Sequence, residues 1–530
     1  MPVLTINDMP IEAPSGSTIL DVSKQLKIRI PTLCCLEGYP VFTSCMVCVV
    51  YDKKSDRLLP ACSSPVRDGM VIETDNELVR QARKDALELL LSEHIGDCQA
   101  PCQRICPAHM NIPLMIRQIS ESNFDAALRT IKRDIAMPAV LGRICPAPCE
   151  KGCNRKYHDN PVAICLLKQV PADIDLARAT PYQPGCKKRS GKKIAIIGSG
   201  PAGLSAAYYL RQQGHGCVIF ERASETGGML RYGISSQDLP ESVLDAEVQA
   251  LLSLGIEVRT GMAIDSDSKM SDIRRKYDAV VLTVGTIDVE GDNPFGVEMG
   301  KHGIKIDPET FKTSIPGVFA GGNAVMPGKL AIRSLAHGKD MAFAVDQYVR
   351  GQAVVAPTRR FNSVMGRPFD GEIGEMLRGA ETGDVVLKRG DMPPAIWREK
   401  AILESKRCLH CDCRKPVSCS LRLYAEEYSA DQNRYRAVKR GNFKRNVQHR
   451  DLIYEQGKCI RCGLCVRITE KAGEPLGLTF IGRGFDVRVD VPFSETLERG
   501  LQKVAEQCAA ACPTGALALL SNEESRDDKD

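Results

Sequence analysis

Polar and apolar positions alternate at the start of the chain and then fall into helical spacing. Val3-Leu-Thr-Ile6 and Met9-Pro-Ile11 read as two short strands joined in a hairpin at Asn7-Asp8. Ser17 or Thr18 can cap a helix running to about Leu26. From Glu77 to Glu93, apolar residues at 78, 79, 82, 86, 87, 89, 90 and 91 predict a longer helix. Lys192–Ile197 is a short apolar run of the kind found in buried parallel strands. Cys217–Phe220 and Asp278–Gly285 are further strands. Leu204–Gln213, Lys329 to about Arg350 and Pro394–Arg407 are helices. Residues 522–530 are charged, lack apolar side chains and predict a disordered tail.

Composition narrows the class. The chain has 530 residues, 43% hydrophobic and 26% charged, ordinary for several folded domains. A net charge of +5 gives no reason to expect nucleic acid or an anionic membrane as partner. No signal peptide or apolar run long enough for a membrane span is visible, so the expected location is cytoplasmic. The 23 cysteines are the anomaly. Thiols stay reduced in the cytosol, so iron–sulfur or metal ligation is the leading explanation.

The cysteines fall in packets. Cys34, Cys45, Cys48 and Cys62 suit one [2Fe–2S] cluster, with zinc as the alternative, and Cys35 packs as a small apolar residue. Cys98, Cys102, Cys106, Cys145, Cys149, Cys153 and Cys165 form the middle packets. Cys408-x2-Cys411-x-Cys413-x5-Cys419 is one cluster's worth of ligands, again with zinc as competitor. Cys459-x2-Cys462-x2-Cys465 with Cys512-Pro513 is a bacterial ferredoxin motif reduced to one [4Fe–4S] cluster, because position 469 is Thr. Cys186, Cys217 and Cys508 are left over.

Between 187 and 407 lies a dinucleotide fold. Gly198-Ser-Gly200-Pro201-Ala202-Gly203 follows a strand, opens a helix and precedes a second strand ending at Glu221. Gly198 permits the tight turn, Gly200 admits a pyrophosphate, Gly203 lets helix and strand pack, and Glu221 suits a ribose diol. The helix N-terminus favours phosphate.

Several motifs resemble known families. Ile30-Pro-Thr-Leu-Cys34 and Ser44-Cys45-Met-Val-Cys48 resemble the N-terminal [2Fe–2S] domain of the large peripheral subunit of complex I and of iron-only hydrogenases. A Leu-rich helix ending in His94-x3-Cys98 resembles the same proteins, in which such a His ligates a [4Fe–4S] cluster. Cys98-x3-Cys102-x3-Cys106-Pro107 and Gly142-Arg-Ile-Cys145-Pro-Ala-Pro-Cys149-x3-Cys153 resemble the glutamate synthase small subunit and dihydropyrimidine dehydrogenase. That resemblance implies two interleaved [4Fe–4S] clusters. One would take Cys98, Cys102 and Cys153, completed by His94. The other would take Cys106, Cys145 and Cys149. Its fourth ligand in the families is a Gln or Glu whose slot falls near Lys168, which as a cation cannot ligate. Cys165, one turn earlier, is the expected substitute and Gln169 the alternative. For His94 the bland alternative is a helix-end histidine bonded to carbonyls.

Glu225–Ile234, including Gly228 and Met229, and Ile315–Asn323, including Gly322, resemble the same small-subunit flavoproteins and imply FAD. Those proteins carry a second, NAD(P)H-binding Rossmann domain. Here only about 20 residues occupy its place, too few for even a βαβ unit, so no NAD(P) is expected on this chain. The expected fold class is multidomain α/β and α+β. Its domains are a β-grasp ferredoxin domain (1–78), a helical two-cluster domain (79–186) and a truncated FAD domain (187–355). A linker with a cysteine packet (356–425) and a ferredoxin-like domain (426–521) follow. The expected function is an electron-transfer oxidoreductase subunit with FAD, one [2Fe–2S] and about four [4Fe–4S] clusters. Its partners would be an NADH-binding flavoprotein, hydrogenase or formate dehydrogenase type of subunit, or ferredoxin. The substrate site would be on a partner, and no catalytic residue is assigned. The alternative is a self-sufficient NAD(P)H-dependent FAD oxidoreductase.

Overall fold

A computed structural model describes residues 1–357, 360–388, 394–437 and 440–520; the expected tail at 522–530 lies outside them. The chain divides into two compact units, and the second is inserted into the first. The first unit takes 1–100, 360–380 and 409–520; the second takes 101–357 and 381–408. The stretch read as a linker and cysteine packet is thus shared between both. Among the described residues, no helix is long and apolar enough to cross a membrane.

In the first unit, Val3–Ile6 and Met9–Glu12 form the expected antiparallel hairpin. Asn7 and Asp8 turn it with φ of +47° and +65°, a left-handed region that Asn and Asp tolerate. Val71–Glu73 pairs parallel to Val3–Ile6 and antiparallel to Val49–Asp52, and Arg57–Pro60 closes the far edge. Thr18 caps the helix Ile19–Gln25 through a reciprocal capping box with Asp21. Its Ile19, Leu20 and Val22 pack with Leu4, Ile6, Val50 and Ile72 in one core. The helix Glu77–Ser92 follows. Buried Arg83 on it donates to the carbonyls of Val49 (2.9 Å) and Thr74 (2.9 Å) and to the Tyr428 hydroxyl (2.9 Å). The C-terminal stretch adds a sheet of Arg445–Asn446, Leu452–Glu455 and Leu517–Leu519 and a hairpin of Thr479–Ile481 with Arg488–Asp490.

The second unit begins with helices Pro101–Ile105, Ile112–Ser120, Phe124–Asp134, Pro138–Ile144, Pro148–Lys151 and Ile164–Leu176. A parallel sheet follows in the order 318–320, 279–282, 193–197, 216–220, 257–259. This is a Rossmann-like strand order, with the first strand central and a crossover on each side. Helix Ala331–Val349 packs on helix Pro201–Gln212 so closely that a Cβ on Gly338 would strike the Ala202 carbonyl. Between Ala279–Leu282 and Val318–Ala320 no helix or strand intervenes; the stretch has isolated bridges of Met299 with Ile304 and of Lys312 with Phe319, and buries Phe295 and Val297.

Candidate functional site

Four thiol groups, a further set of three thiols (Cys102, Cys153 and Cys408) and a dinucleotide cradle emerge among the described residues. The first group is Cys34, Cys45, Cys48 and Cys62, all buried and mutually hydrogen-bonded. Thiols of Cys45 and Cys62 donate to Cys34 and hold its pKa low, while the same bonds push Cys45 and Cys62 up. Backbone N–H groups of Ser44 and Cys45 also face Cys34. Such donors favour thiolate, the form that binds iron. Cys35 is half-buried, and burial raises its pKa.

The second group lines a closed cavity with Cys459, Cys462, Cys465 and Cys512, walled by Tyr454, Pro513 and Ala516. The Arg461 N–H donates to Cys459 Sγ (3.4 Å). Burial pushes Cys459 to about 11 and Cys462 to about 12. Four thiols lining one small cavity fit a cluster, which would hold them as thiolates. Cys508 is outside the lining and fully buried, its thiol donating to the Cys465 carbonyl (3.8 Å). Thr469 is structural here: its hydroxyl donates to Val466 and accepts the Leu478 N–H (3.1 Å).

The third group lies in the second unit. Cys165 hydrogen-bonds to Cys145 and Cys149 and raises both, and Cys106 also acts on Cys149. Lys168 is buried, with its ammonium 3.8 Å from Cys165 Sγ. Burial opposes that charge, and Cys165, Cys145, Cys149 and Cys106 are the groups that hold its pKa up. A buried cation facing four thiols fits an anionic cluster, since an unpaired charge there would be costly. Gln169 turns elsewhere, donating to Asp173 (3.0 Å), and its stem blocks any Cβ on Gly142.

The fourth group departs from the sequence reading. The Cys413 N–H donates to the Cys98 carbonyl (3.2 Å), and Ser363 N–H donates to Cys98 Sγ (3.3 Å). Burial raises Cys419, with Cys413 and then Cys98 among its charged neighbours. So Cys98 sits with thiols that the sequence reading placed in a separate packet, because residues 94–100 pack with 409–520 in the first unit. His94 in the same stretch is shielded, and its Nδ1 has no hydrogen-bond partner. Burial and Lys458 lower its pKa to about 4. Cys411 packs beside Ile95 and Leu409. Cys102, Cys153 and Cys408 belong to the second unit and pack at the margin of its core. There a Cβ on Gly152 would come within 2.9 Å of Ile105. Arg155 donates to the Arg407 carbonyl beside Cys408, and Arg155 and Arg407 both act on Cys153.

The dinucleotide cradle is built from glycines. Gly198 has φ +102°, and a Cβ there would be 2.5 Å from the Thr283 carbonyl oxygen. A Cβ on Gly203 would collide with the Gly198 carbonyl. Above Gly200 there is open space, and the helix N-terminus at Pro201 has no side-chain cap, which leaves its N–H groups for a phosphate. Gly228 (φ +51°) approaches Gly200, and Gly322 (φ +66°) approaches Ala202, so the two distant segments meet at this helix start. Met229 is exposed there. The Glu221 carboxylate accepts from Ser199 N–H (2.8 Å) and hydroxyl (2.6 Å) and from Ala223 N–H (2.9 Å). The Asn323 amide donates to the Gly328 carbonyl (3.0 Å). His337, which no motif signalled, accepts the Gly322 N–H on Nδ1 (3.2 Å), and burial lowers its pKa.

Thiol groups of this kind beside a Rossmann-like sheet define an iron–sulfur protein with a dinucleotide-binding domain. Residues 3–77 match the family model of a 2Fe-2S iron-sulfur cluster binding domain. Residues 84–180 match dihydropyrimidine dehydrogenase domain II, a 4Fe-4S cluster domain. Residues 196–259 match an NAD(P)-binding Rossmann-like domain. Over 210 residues the chain is 39% identical to the NADPH-Fe(3+) oxidoreductase subunit beta of Geobacter sulfurreducens, covering 39% of this chain and 30% of that protein. It is 38% identical over 207 residues to the NADP(+)-dependent formate dehydrogenase subunit beta of Moorella thermoacetica (35% and 29%). To the glutamate synthase [NADPH] small chain of Bacillus subtilis it is 34% identical over 197 residues (36% and 40%). The matched stretches span less than half of each of these relatives.

Proposed function

We propose that the chain is the electron-relay subunit of a larger oxidoreductase, carrying FAD, one [2Fe–2S] cluster in a β-grasp domain and four [4Fe–4S] clusters. Bound there, FAD exchanges one or two electrons and each cluster one. The observation that carries the reading is the stretch from 283 to 317, which holds no helix or strand where a second nucleotide domain would stand. The Gly200 helix start carries the G-x-G-x-x-G fingerprint, which serves FAD and NAD alike. Occupation by FAD is favoured by the approach of Gly322 to Ala202, which brings the Ile315–Asn323 segment to the helix start. In the second unit the helices around Cys106, Cys145, Cys149 and Cys165 share one core with the dinucleotide fold. Lys339 on Ala331–Val349 donates to Asp134 (2.8 Å), a further link between those helices and the dinucleotide fold.

Partner subunits of the NADH-binding, formate dehydrogenase or hydrogenase type, or ferredoxin, would supply the substrate site. The relatives named as beta subunits of oxidoreductases support that class. A second reading keeps NAD(P) on this chain, favoured by the NAD(P)-binding description of the matched Rossmann domain. Stopped-flow mixing of the isolated chain with NADH and NADPH separates them. Hydride transfer needs reacting atoms about 3–3.5 Å apart, and the relay reading expects no rapid flavin bleaching. Bleaching at micromolar nucleotide without a partner overturns it.

A further inference from the structure

We propose that His94, Cys98, Cys413 and Cys419 together hold one iron–sulfur cluster, a site split across the inserted second unit. The inference rests on the relay reading and gives one of its clusters a ligand set that no contiguous motif spells out. Cys98 and Cys413 are 315 positions apart (413 minus 98).

Three observations converge. The peptide groups of Cys98 and Cys413 are joined directly by a hydrogen bond of 3.2 Å. Cys413, Cys98 and Cys512 are the thiols whose electrostatics reach Cys419. Cys413 Sγ lies where a Cβ on Gly515 would be, so the thiol is seated against bare backbone. The three thiols are buried. The second observation is charge. Lys458 is 2% exposed, and its stem runs across Gly96, where a Cβ would strike it. Its charge acts on His94, Cys98 and Cys413, alongside its buried ion-pair partner Glu455, which acts on His94 and Cys413. Arg422 acts on Cys98 as well. Buried cations around buried thiols fit an anionic cluster.

The third observation is His94. Its Nδ1 is shielded from solvent with no hydrogen-bond partner. A buried ring nitrogen left bare needs an explanation, and ligation supplies one. The ferredoxin-like cavity already has its four cysteines, so it needs no histidine. Three cysteines and a histidine also suit zinc. Zinc and iron content distinguish the two.

The test is iron, acid-labile sulfide, zinc and electron paramagnetic resonance on the anaerobically purified full chain. Cys98→Ser, Cys413→Ser and Cys419→Ser should each lose about four irons and the same resonance. Any two of these combined should lose no more than one alone. Cys98→Ser with Cys102→Ser should lose about eight, because they serve different clusters. A loss of only about four in that last double variant overturns the split site, as does zinc in the wild type at one per chain that Cys413→Ser removes. His94→Ala should shift the g-values of that resonance and His94→Cys restore a full cluster; an unchanged spectrum in His94→Ala excludes His94. Retained flavin absorbance and circular dichroism certify folding, and the Cys413 and Cys419 variants carry the test should Cys98→Ser misfold. Wild-type iron far below about 18 per chain would instead remove the relay reading itself.

Discussion

The two units gather thiols in opposite ways. In the second, Cys106, Cys145, Cys149 and Cys165 come from one run of helices whose core continues into the dinucleotide fold. In the first, thiols from the N-terminal 100 residues meet thiols from beyond residue 408. Cys34 and Cys45 share a buried patch with Cys419 and Cys462. Spacing in the sequence reports a site where one local scaffold positions every ligand. It misreports a site that an inserted domain has cut in two.

The largest effect should come from Cys165, the residue that ties the second unit's group together. Cys165→Ala should lose about four irons or leave a three-iron form, with the first unit's resonances unchanged. Iron analysis with electron paramagnetic resonance checks both halves. Full iron retention would pass the role to another group, and loss of first-unit signals would break the contrast between the units.

Glycines in the cradle give the next effect and separate ligand from packing. Gly200 has ordinary φ (−69°) and open space at its Cβ. Gly200→Ala should therefore fold with full iron yet lose flavin at least about tenfold, roughly 1.4 kcal/mol of binding. Gly203→Ala would drive a methyl into the Gly198 carbonyl, at a cost of about 1–3 kcal/mol or more, and lower the melting temperature as well. Flavin content and thermal melts distinguish the two. Equal flavin in wild type and Gly200→Ala would remove the dinucleotide from this helix start.

Those glycines were legible because their role is local: a strand, a turn and a helix start within a dozen residues. The hairpin at Asn7-Asp8 and the Thr18 cap were legible for the same reason. Cys165 was the expected ligand and Gln169 the alternative; in the structure Cys165 bonds Cys145 and Cys149, and Gln169 donates to Asp173. The grouping of Cys98 with Cys413 and Cys419 was hidden, because cysteine spacing carries no sign of an insertion. His337 and Lys458 were also invisible: each acts through burial and tertiary neighbours, and neither lies in a motif.

Lys458 in the first unit and Lys168 in the second are buried beside thiols, with a difference in counter-ion. Lys458 pairs with buried Glu455, whereas Lys168 is held by thiols. Replacing either with Met should leave iron content unchanged and lower the midpoint potential of the adjacent cluster, since losing a nearby positive charge disfavours the reduced, more negative state. The shift should be larger for Lys168→Met, because Glu455 offsets part of the Lys458 charge. Redox titration followed by electron paramagnetic resonance reads both, and equal shifts would show that the carboxylate does not screen.

The smallest effect is a pH dependence confined to the second unit. Glu247, on helix Glu241–Leu252, is buried and accepts the N–H groups of Ala139 (2.8 Å) and Val140 (2.8 Å) at the start of Pro138–Ile144. It joins the helical domain to the dinucleotide fold inside that unit. Burial raises its pKa from 4.5 to about 7, against the lowering influence of those N–H groups and of Lys132. Between these two values the folded chain holds a proton that the unfolded chain has released. Stability should then fall as pH rises through that window and flatten above it, by on the order of 1–3 kcal/mol. Thermal melts of the anaerobic holoprotein at pH 5, 6, 7 and 8 should show the melting temperature dropping by a few degrees. Glu247→Gln, neutral throughout, should lose most of that slope while melting lower at acidic pH, since an amide offers one oxygen to two N–H donors. The same slope in Glu247→Gln would place the titrating group elsewhere.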